Sequence, residues 1–362
     1  MHISTSAGIS NVDSGGQVVP PIAVGGRYGP DGSTRVRKGD LLVKRFGYWF
    51  GLCASVSLLA AGCSSGGGNG QNSSANASGS PAAGGAKTIG VSIQDLQAQF
   101  YEDMELGMKN EASKYGYAIT FVDANRDQAK QTSQVEDFIS KGVSAIVLTP
   151  ADSKAVGSAI LEANQAGIPV FTADIASSSD KGVVVSHIAS DNVAGGKVAA
   201  QIMCKALNGP GSVVIIDQPE VTSVQDRVKG FKQGLATCKG ATIAADQSAG
   251  GDQTKAASVM DNLLQTYPNV RGVFGINDNS ALGALSAVQS AGKTGKVVIV
   301  GYDASPIAQK AIDAGQMAGD PQQHPDQIGK LTIDAIHDYF NGKTPVKLIP
   351  VAVGSYTTHG KP

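Results

Sequence analysis

Three polar residues stand where an apolar run gives way to a loop or turn, and they are the side chains best placed to do chemistry: Asp174, Asn277 and Asp303. A carboxylate accepts hydrogen bonds and a primary amide both donates and accepts them. Such a set can hold a polar molecule without reacting with it. The signatures of catalysis fail on context. Gly62-Cys63-Ser64-Ser65-Gly66 has the G-x-S-x-G spacing but follows an apolar leader instead of sitting on a strand–turn–helix elbow. Asp123, Asn125 and Asp127 open like a calcium loop, yet Gln128 stands where the turn glycine belongs and Gln134 where the closing glutamate belongs. Gly195-Gly196-Lys197 lacks the spacing of a phosphate loop. The five His are not at metal-ligand intervals, and His187, inside a strand-like run, reads as a structural residue. No catalytic residue, metal or cofactor is expected, and the protein does not read as an enzyme.

The elements that must position these residues alternate in type. Apolar runs at Thr88 to Ile93, Tyr117 to Val122, Ala145 to Leu148 and Ile168 to Thr172 have strand length. Between them Phe100 to Tyr115, Gln131 to Lys141 and Ser153 to Ala166 have helical periodicity, the first and last stopped by Gly116 and Gly167. Val183 to Ile188 is a further strand; Ser190-Asp191-Asn192 can cap the helix Val193 to Met203 that follows. The pattern then repeats: strands Ser212 to Ile216, Thr242 to Ala245, Gly272 to Ile276 and Val297 to Val300. Helices Ser223 to Thr237, Thr254 to Thr266, Ser280 to Ser290, Pro306 to Ala314 and Asp326 to Phe340 accompany them. A short stretch, Gln316 to Gly319, precedes the last helix, and a final strand is expected over Val346 to Val353. Strands alternating with helices through short connections predict parallel sheets covered on both faces.

The two halves also match locally. Ala151-Asp152-Ser153 aligns with Asn277-Asp278-Asn279, and the strands ending at Asp174 and Asp303 occupy equivalent places. The fold class is therefore α/β: two similar lobes, each a parallel sheet flanked by helices. Ligands of open parallel sheets bind beyond the carboxyl ends of the strands, so the polar strand ends of both halves would face one shared cleft. Asp152 and Asp278 open helices and are better read as caps than as ligand contacts; Asn277 could serve only its turn.

The chain has 362 residues, 41% of them hydrophobic, and a net charge of −1, a globular balance with no basic patch for nucleic acid. Residues 1–62 read as an export segment. Lys44-Arg45 precedes the apolar run Phe46 to Leu59, which ends in Ala60-Ala61-Gly62-Cys63. That ending resembles a bacterial lipobox, which implies lipidation of Cys63. A complete leader this far into the chain places the expected translation start near Leu41 to Val43. The Gly/Ser/Asn-rich residues 63–86 read as a flexible tether to the membrane. No apolar run reaches 18 residues, so no permanent transmembrane helix is expected. Of the four cysteines, Cys53 lies in the leader and Cys63 at its end. Cys204 and Cys238 are left in an exported domain, on helices that flank one strand–helix unit, open to a disulfide or to two buried thiols.

Across residues 87 to 353 the chain resembles the periplasmic sugar-binding proteins of ABC importers, ribose-binding type. The motifs are Val184-Val185-Ser186-His187-Ile188-Ala189-Ser190-Asp191-Asn192, Asn277-Asp278 with Ala281-Leu282-Gly283-Ala284-Leu285, Gly301-Tyr302-Asp303, and Pro325-Asp326-Gln327-Ile328-Gly329. The resemblance implies two lobes joined by a three-strand hinge, crossing near Ser190-Asp191, Gln323-His324 and Ala352-Val353. The lobes are then 87–190 with 324–352, and 191–323 with 353–362. It also implies ligand contacts. Phe100 and Tyr101 would pack on a sugar ring, Asp174 would accept from hydroxyls, and Asn277, Asp303 and Gln323 would bind from the second lobe and hinge, with Tyr302 alongside.

Departures from the family pattern shape the expected ligand. Ile175 and Gln225 stand where ribose-type relatives carry Arg, Gly251 where they carry an aromatic, Gln94 for a serine, and Ala98 and Thr149 for asparagines; Arg227 reads as structural. With Asp174 and Asp303 retained and taken as uncompensated, the set suits a small neutral sugar or polyol other than ribose. The resemblance implies a monomeric extracytoplasmic lipoprotein that delivers this ligand to ABC permease subunits. A ligand-sensing subunit of the same fold is the alternative.

Overall fold

Ala145–Leu148 and Gly272–Gly275 are buried along their whole length, as strands covered by helices on both sides must be. The computed structural model describes residues 86–357; the leader, Cys63 and most of the tether lie outside the described residues. Six strands form a first sheet: β1 (Thr88–Ile93), β2 (Ala118–Asp123), β3 (Ala145–Leu148), β4 (Val170–Ala173), β5 (Val184–Ser190) and β11 (Leu348–Val351). Their order is β11-β5-β4-β3-β1-β2, all parallel. Helices α1 (Gln99–Lys114), α2 (Gln128–Ser140), α3 (Gly157–Gln165) and α9 (Pro325–Phe340) accompany them.

The second sheet is built from β6 (Gly211–Asp217), β7 (Ala241–Ser248), β8 (Gly272–Gly275), β9 (Val298–Val300), β10 (Gly319–Gln322) and β12 (Gly354–Thr357), in the order β12-β10-β9-β8-β6-β7. Its strands are parallel except the edge strand β12, which runs antiparallel to β10. Around it lie α4 (Asn192–Leu207), α5 (Thr222–Leu235), α6 (Gln253–Thr266), α7 (Asp278–Ser290) and α8 (Pro306–Asp313). The molecule is thus α/β with two parallel-sheet lobes and flanking helices. No helix among the described residues is long and apolar enough to cross a membrane.

Each sheet carries an apolar cluster on each face. Met104, Met108, Phe171 and Ile328 lie in one cluster of the first lobe, and Val135, Phe138, Ile146 and Ile160 in the other. In the second lobe Phe231 of α5 stacks on Phe274 of β8 at 4.3 Å. Helices α4 and α5 touch at glycine. A Cβ on Gly230 would stand 2.9 Å from the Val193 carbonyl carbon, and one on Gly196 2.9 Å from that of Arg227. Gly196 is explained by this close backbone approach, and Gly195 by the Tyr302 ring, which occupies the space a Cβ would take. Cys204, on α4, is joined to Cys238 with Cα atoms 5.7 Å apart; Cys238 lies in the turn after α5, not on a helix.

Three sequence readings need correction. The expected last strand is two strands in different sheets, because the chain leaves the first sheet after Val351 and enters the second at Gly354. The stretch before the last helix forms β10 at Gly319–Gln322, where Pro321 disguised the strand. Helix α3 begins at Gly157, not Ser153, because Ser153 turns its backbone to other partners: its N–H donates to Glu220 O at 3.1 Å and its carbonyl accepts from Ser178 N–H at 2.8 Å.

Candidate ligand-binding cleft

The carboxyl ends of both sheets face each other across a narrow cleft with a cavity volume of about 30 Å³. β4 ends at Ala173 and β9 is followed by Gly301-Tyr302, so Asp174 and Asp303 are the first acidic residues beyond each strand. Both have left-handed backbones, with φ of +61° for Asp174 and +117° for Asp303. Residues with a Cβ rarely adopt this conformation, and such strain concentrates at functional sites. Here it turns two carboxylates toward one space.

Between them lies Arg227 of α5, only 5% exposed. Its Nη2 is 3.8 Å from Asp174 Oδ1 and its Nη1 3.8 Å from Asp303 Oδ1. Nε–H donates to Asn192 Oδ1 at 2.8 Å, Nη1–H donates to the Ile276 carbonyl at 3.0 Å, and the guanidinium covers the Tyr302 ring at 4.1 Å. One guanidinium thus stands between the two acids, a positive neighbour that the expectation from the sequence left out. The partner came from a helix more than fifty residues from Asp174 in the chain.

The first lobe supplies Tyr101, whose hydroxyl donates to Asp174 Oδ2 at 3.1 Å and lies 3.2 Å from Gln94 Oε1. Phe100 meets it edge-on, ring centres 5.1 Å apart. Both rings belong to the core cluster of that lobe and also line the cleft. On the hinge side Gln323 Nε2 donates to Asp303 Oδ1 at 2.7 Å. Asn277 caps α7, its Oδ1 accepting from Ser280 N–H at 2.8 Å while Nδ2 donates to Gly251 O at 3.2 Å. Asp278 is not that cap; its Oδ2 accepts from Ser305 N–H at 2.7 Å. Asp152 does accept from the N–H groups of Lys154 and Ala155, in the turn before α3.

Burial sets the ionisation of these acids. Asp174 is pushed up by burial, with Arg227 and the Tyr101 hydrogen bond pulling it back. Asp303 is pushed up to about 8, first by burial and then by the negative charge of Asp278. Behind it Asp278 rises well above the carboxylate range through burial and its neighbour Asp320, whose own Oδ1 accepts from Gly301 N–H. His187, away from the cleft, bonds Thr172 Oγ1 at 2.9 Å and is pushed down to about 4 by burial, as a structural histidine would be.

Of the residues expected at the site, Gln94, Phe100, Tyr101, Asp174, Ile175, Asn277, Asp303 and Gln323 line one cleft. Three are elsewhere. Tyr302 is fully buried beneath Arg227. Gln225 turns back to its own lobe, its Nε2 donating to Pro219 O at 2.8 Å. Thr149 is buried behind the wall. Ile175 is set among apolar residues of the opposite lobe, including Val221 and Val224. Sequence reasoning missed Arg126 and Gln218, which also line the cleft. Among the described residues no cluster of His, Cys, Asp and Glu is suited to a metal.

Two parallel-sheet lobes closing a polar, partly aromatic cleft at their strand ends define a two-lobed solute-binding protein. Residues 89–344 match the periplasmic binding protein domain, and the chain belongs to that family, in its ribose-type sugar-binding branch. It is 39% identical over 265 residues to the ribose import binding protein of Salmonella typhimurium, covering 73% of this chain and 88% of that one. It superposes on a solute-binding protein of Actinobacillus succinogenes with bound D-allose, with a TM-score of 0.70, 28% identity, and coverage of 75% and 98%. A Caulobacter myo-inositol binding protein bound to myo-inositol gives a TM-score of 0.71 and 29% identity over 76% and 94%. All three are binding proteins by name, and that of Actinobacillus succinogenes is a periplasmic protein of an ABC transporter.

Proposed function

We propose that the chain captures a small neutral sugar or polyol between its lobes and delivers it to the permease of an ABC importer. One observation carries the ligand class. Asp174 Oδ1 and Gln323 Oε1 are buried on or beside the cleft wall and have no hydrogen-bond partner among the described residues. Buried acceptors without donors are costly, and hydroxyl groups of a bound ligand are the donors that fit. Phe100 and Tyr101 then cover its C–H face. An anion is disfavoured because both guanidinium groups of the cleft already pair with carboxylates, Arg227 with Asp174 and Asp303, and Arg126 with Asp95. The similarity to allose- and myo-inositol-bound structures supports the same class.

In this reading 87–190 with 324–352 moves as one lobe and 191–323 with 353–362 as the other, bending where the chain passes between sheets. Lipidation of Cys63 holds the protein, a monomer, at the membrane through the 63–86 tether. A Cys63→Ala protein should then leave the membrane fraction; retention there would remove the anchor from the proposal.

The test is a thermal-shift screen with D-ribose, D-allose, myo-inositol and xylitol beside ribose 5-phosphate, followed by calorimetry. A ligand at 100 times its Kd stabilises the folded state by about 2.7 kcal/mol, roughly 5–10 °C for a domain of this size. Tight binding of the phosphate with no response to the neutral compounds would overturn the assignment. Undiminished uptake of the bound compound in a strain lacking the gene would remove the delivery role and favour sensing.

A further inference from the structure

The turn between β2 and α2 is held in an unusual shape. Asn125 and Arg126 are consecutive non-glycine residues with left-handed backbones, φ +53° and +59°. Neighbours on both sides enforce it. Asp123 Oδ1 accepts from Asn125 N–H at 2.7 Å and from Leu96 N–H at 3.3 Å, Arg126 N–H donates to Gln94 O at 2.7 Å, and Asp127 caps α2. The acidic spacing that imitates a calcium loop is accounted for here, as the frame of one arginine.

The Arg126 side chain crosses the cleft. Its Nε–H and one Nη2–H donate to Asp95 Oδ2 at 2.9 and 2.7 Å, and one Nη1–H donates to the carbonyl of Gly250, in the opposite lobe. The receiving loop is shaped for it. Gly250 and Gly251 have φ of +62° and +68°, and a Cβ on Gly251 would stand 2.7 Å from Arg126 Nη1 and 2.5 Å from Gln218 Oε1. Asn277 Nδ2 donates to Gly251 O and fixes the loop. A guanidinium has five N–H donors; three are engaged, which leaves one on each terminal nitrogen at the cleft wall. Other lobe-to-lobe hydrogen bonds, between Thr222 and both Ser153 and Ala176 and from Ser153 N–H to the Glu220 carbonyl, involve no charged side chain, and Arg227 stands 3.8 Å from Asp174 deeper in the cleft.

Resting on the reading of this cleft as a sugar or polyol site, we propose that Arg126 is its closing residue. Held by Asp95, it joins the lobes through Gly250 and turns its two remaining N–H groups to the oxygens of the bound ligand. Gly251 is its counterpart, since any side chain there takes the place of the guanidinium. Arg126 thus selects for ligands with an oxygen at that wall and slows their escape.

The experiment uses Arg126→Ala, Arg126→Lys, Gly251→Ala and the Arg126→Ala/Gly251→Ala double variant, with D-ribose, D-allose and myo-inositol as probes in stopped-flow and calorimetry. Arg126→Ala should weaken binding at least about tenfold, mainly by faster dissociation. Arg126→Lys should not restore it, because an ammonium lacks the fork that reaches Asp95 and Gly250 together. Gly251→Ala, which leaves the Asp95 pair intact, should give a comparable loss, and the double variant should lose no more than the worse single one. In a second arm, spin labels at Lys130→Cys and Lys255→Cys, exposed on α2 and α6, report the lobe distance without any sugar. Arg126→Ala should lengthen it. An unchanged label distance, or native dissociation rates in Arg126→Ala, would overturn the proposal. A native protein that binds none of the probes refutes the ligand reading instead, and the label distance then decides the closing contact alone.

Discussion

Replacing Arg227 by Met should be the most revealing single change to this molecule. Methionine keeps most of the volume and removes the charge. The substitution deletes hydrogen bonds to Asn192 and to the Ile276 carbonyl, the cover on the Tyr302 ring, and the positive neighbour of Asp174 and Asp303. Removing one partner of a buried charge pair costs about 3–5 kcal/mol, because the other is left uncompensated. For a domain of this size that lowers Tm by roughly 6–20 °C. The cost should depend on pH. Without Arg227, Asp174 is held up further by burial, so the folded variant keeps a proton that the unfolded chain releases. Stability then falls as pH rises above the ordinary carboxylate range, and the deficit relative to native is larger at pH 8 than at pH 5. Adding Asp174→Asn removes the stranded acid and should recover much of the loss. Urea unfolding followed by circular dichroism at both pH values measures all of this. A loss below about 1 kcal/mol, or a double variant no more stable than Arg227→Met, would refute the view that the cleft acids are balanced by this arginine.

Asp303, pushed up to about 8, makes the native protein lose stability between about pH 4 and pH 8, since the folded state must give up a proton the unfolded state released earlier. Thermal melts of Asp303→Asn should therefore show a shallower decline over that window. In binding, calorimetry of Asp303→Ala carried out above pH 8, where this acid is ionised, should show a loss of about 2–4 kcal/mol, from charge-assisted hydrogen bonds and unpaired ligand hydroxyls. Gly230→Ala should destabilise by about 1–3 kcal/mol through overpacking of α4 on α5, seen as a lower urea midpoint with unchanged slope. Cys204→Ser with Cys238→Ser opens a cross-link spanning 34 residues and should lower stability by about 3–4 kcal/mol, measured against the oxidised protein.

Much of the architecture was legible because its causes are local. A glycine in the left-handed region ends a helix, as Gly116 and Gly167 do with φ of +69° and +76°. An aspartate beside a helix start caps it, as Asp191 does through Ala194 N–H at 2.9 Å. Strand length and apolar content marked β3 and β8 without reference to any other part of the chain. Where local signals misled, a distant partner was the reason. Pro321 speaks against a strand, yet β10 pairs through Asp320 and Gln322 with β12. Ser153 looks like a helix start in the sequence, yet its carbonyl accepts from the distant Ser178 N–H instead of from the next helical turn.

The sequence by itself determined the alternation of strands and helices, the duplication, and the pair of acids at equivalent strand ends. Those follow from periodicity and short-range backbone chemistry. Only the tertiary structure decided which charges stand beside those acids. Arg227 approaches from α5 and Arg126 crosses to Gly250, 124 residues away, while Gln225 and Tyr302 turn from the cleft. An electrostatic neighbourhood depends on distances of a few ångströms between residues remote in the chain, and no spacing along one strand or helix encodes them.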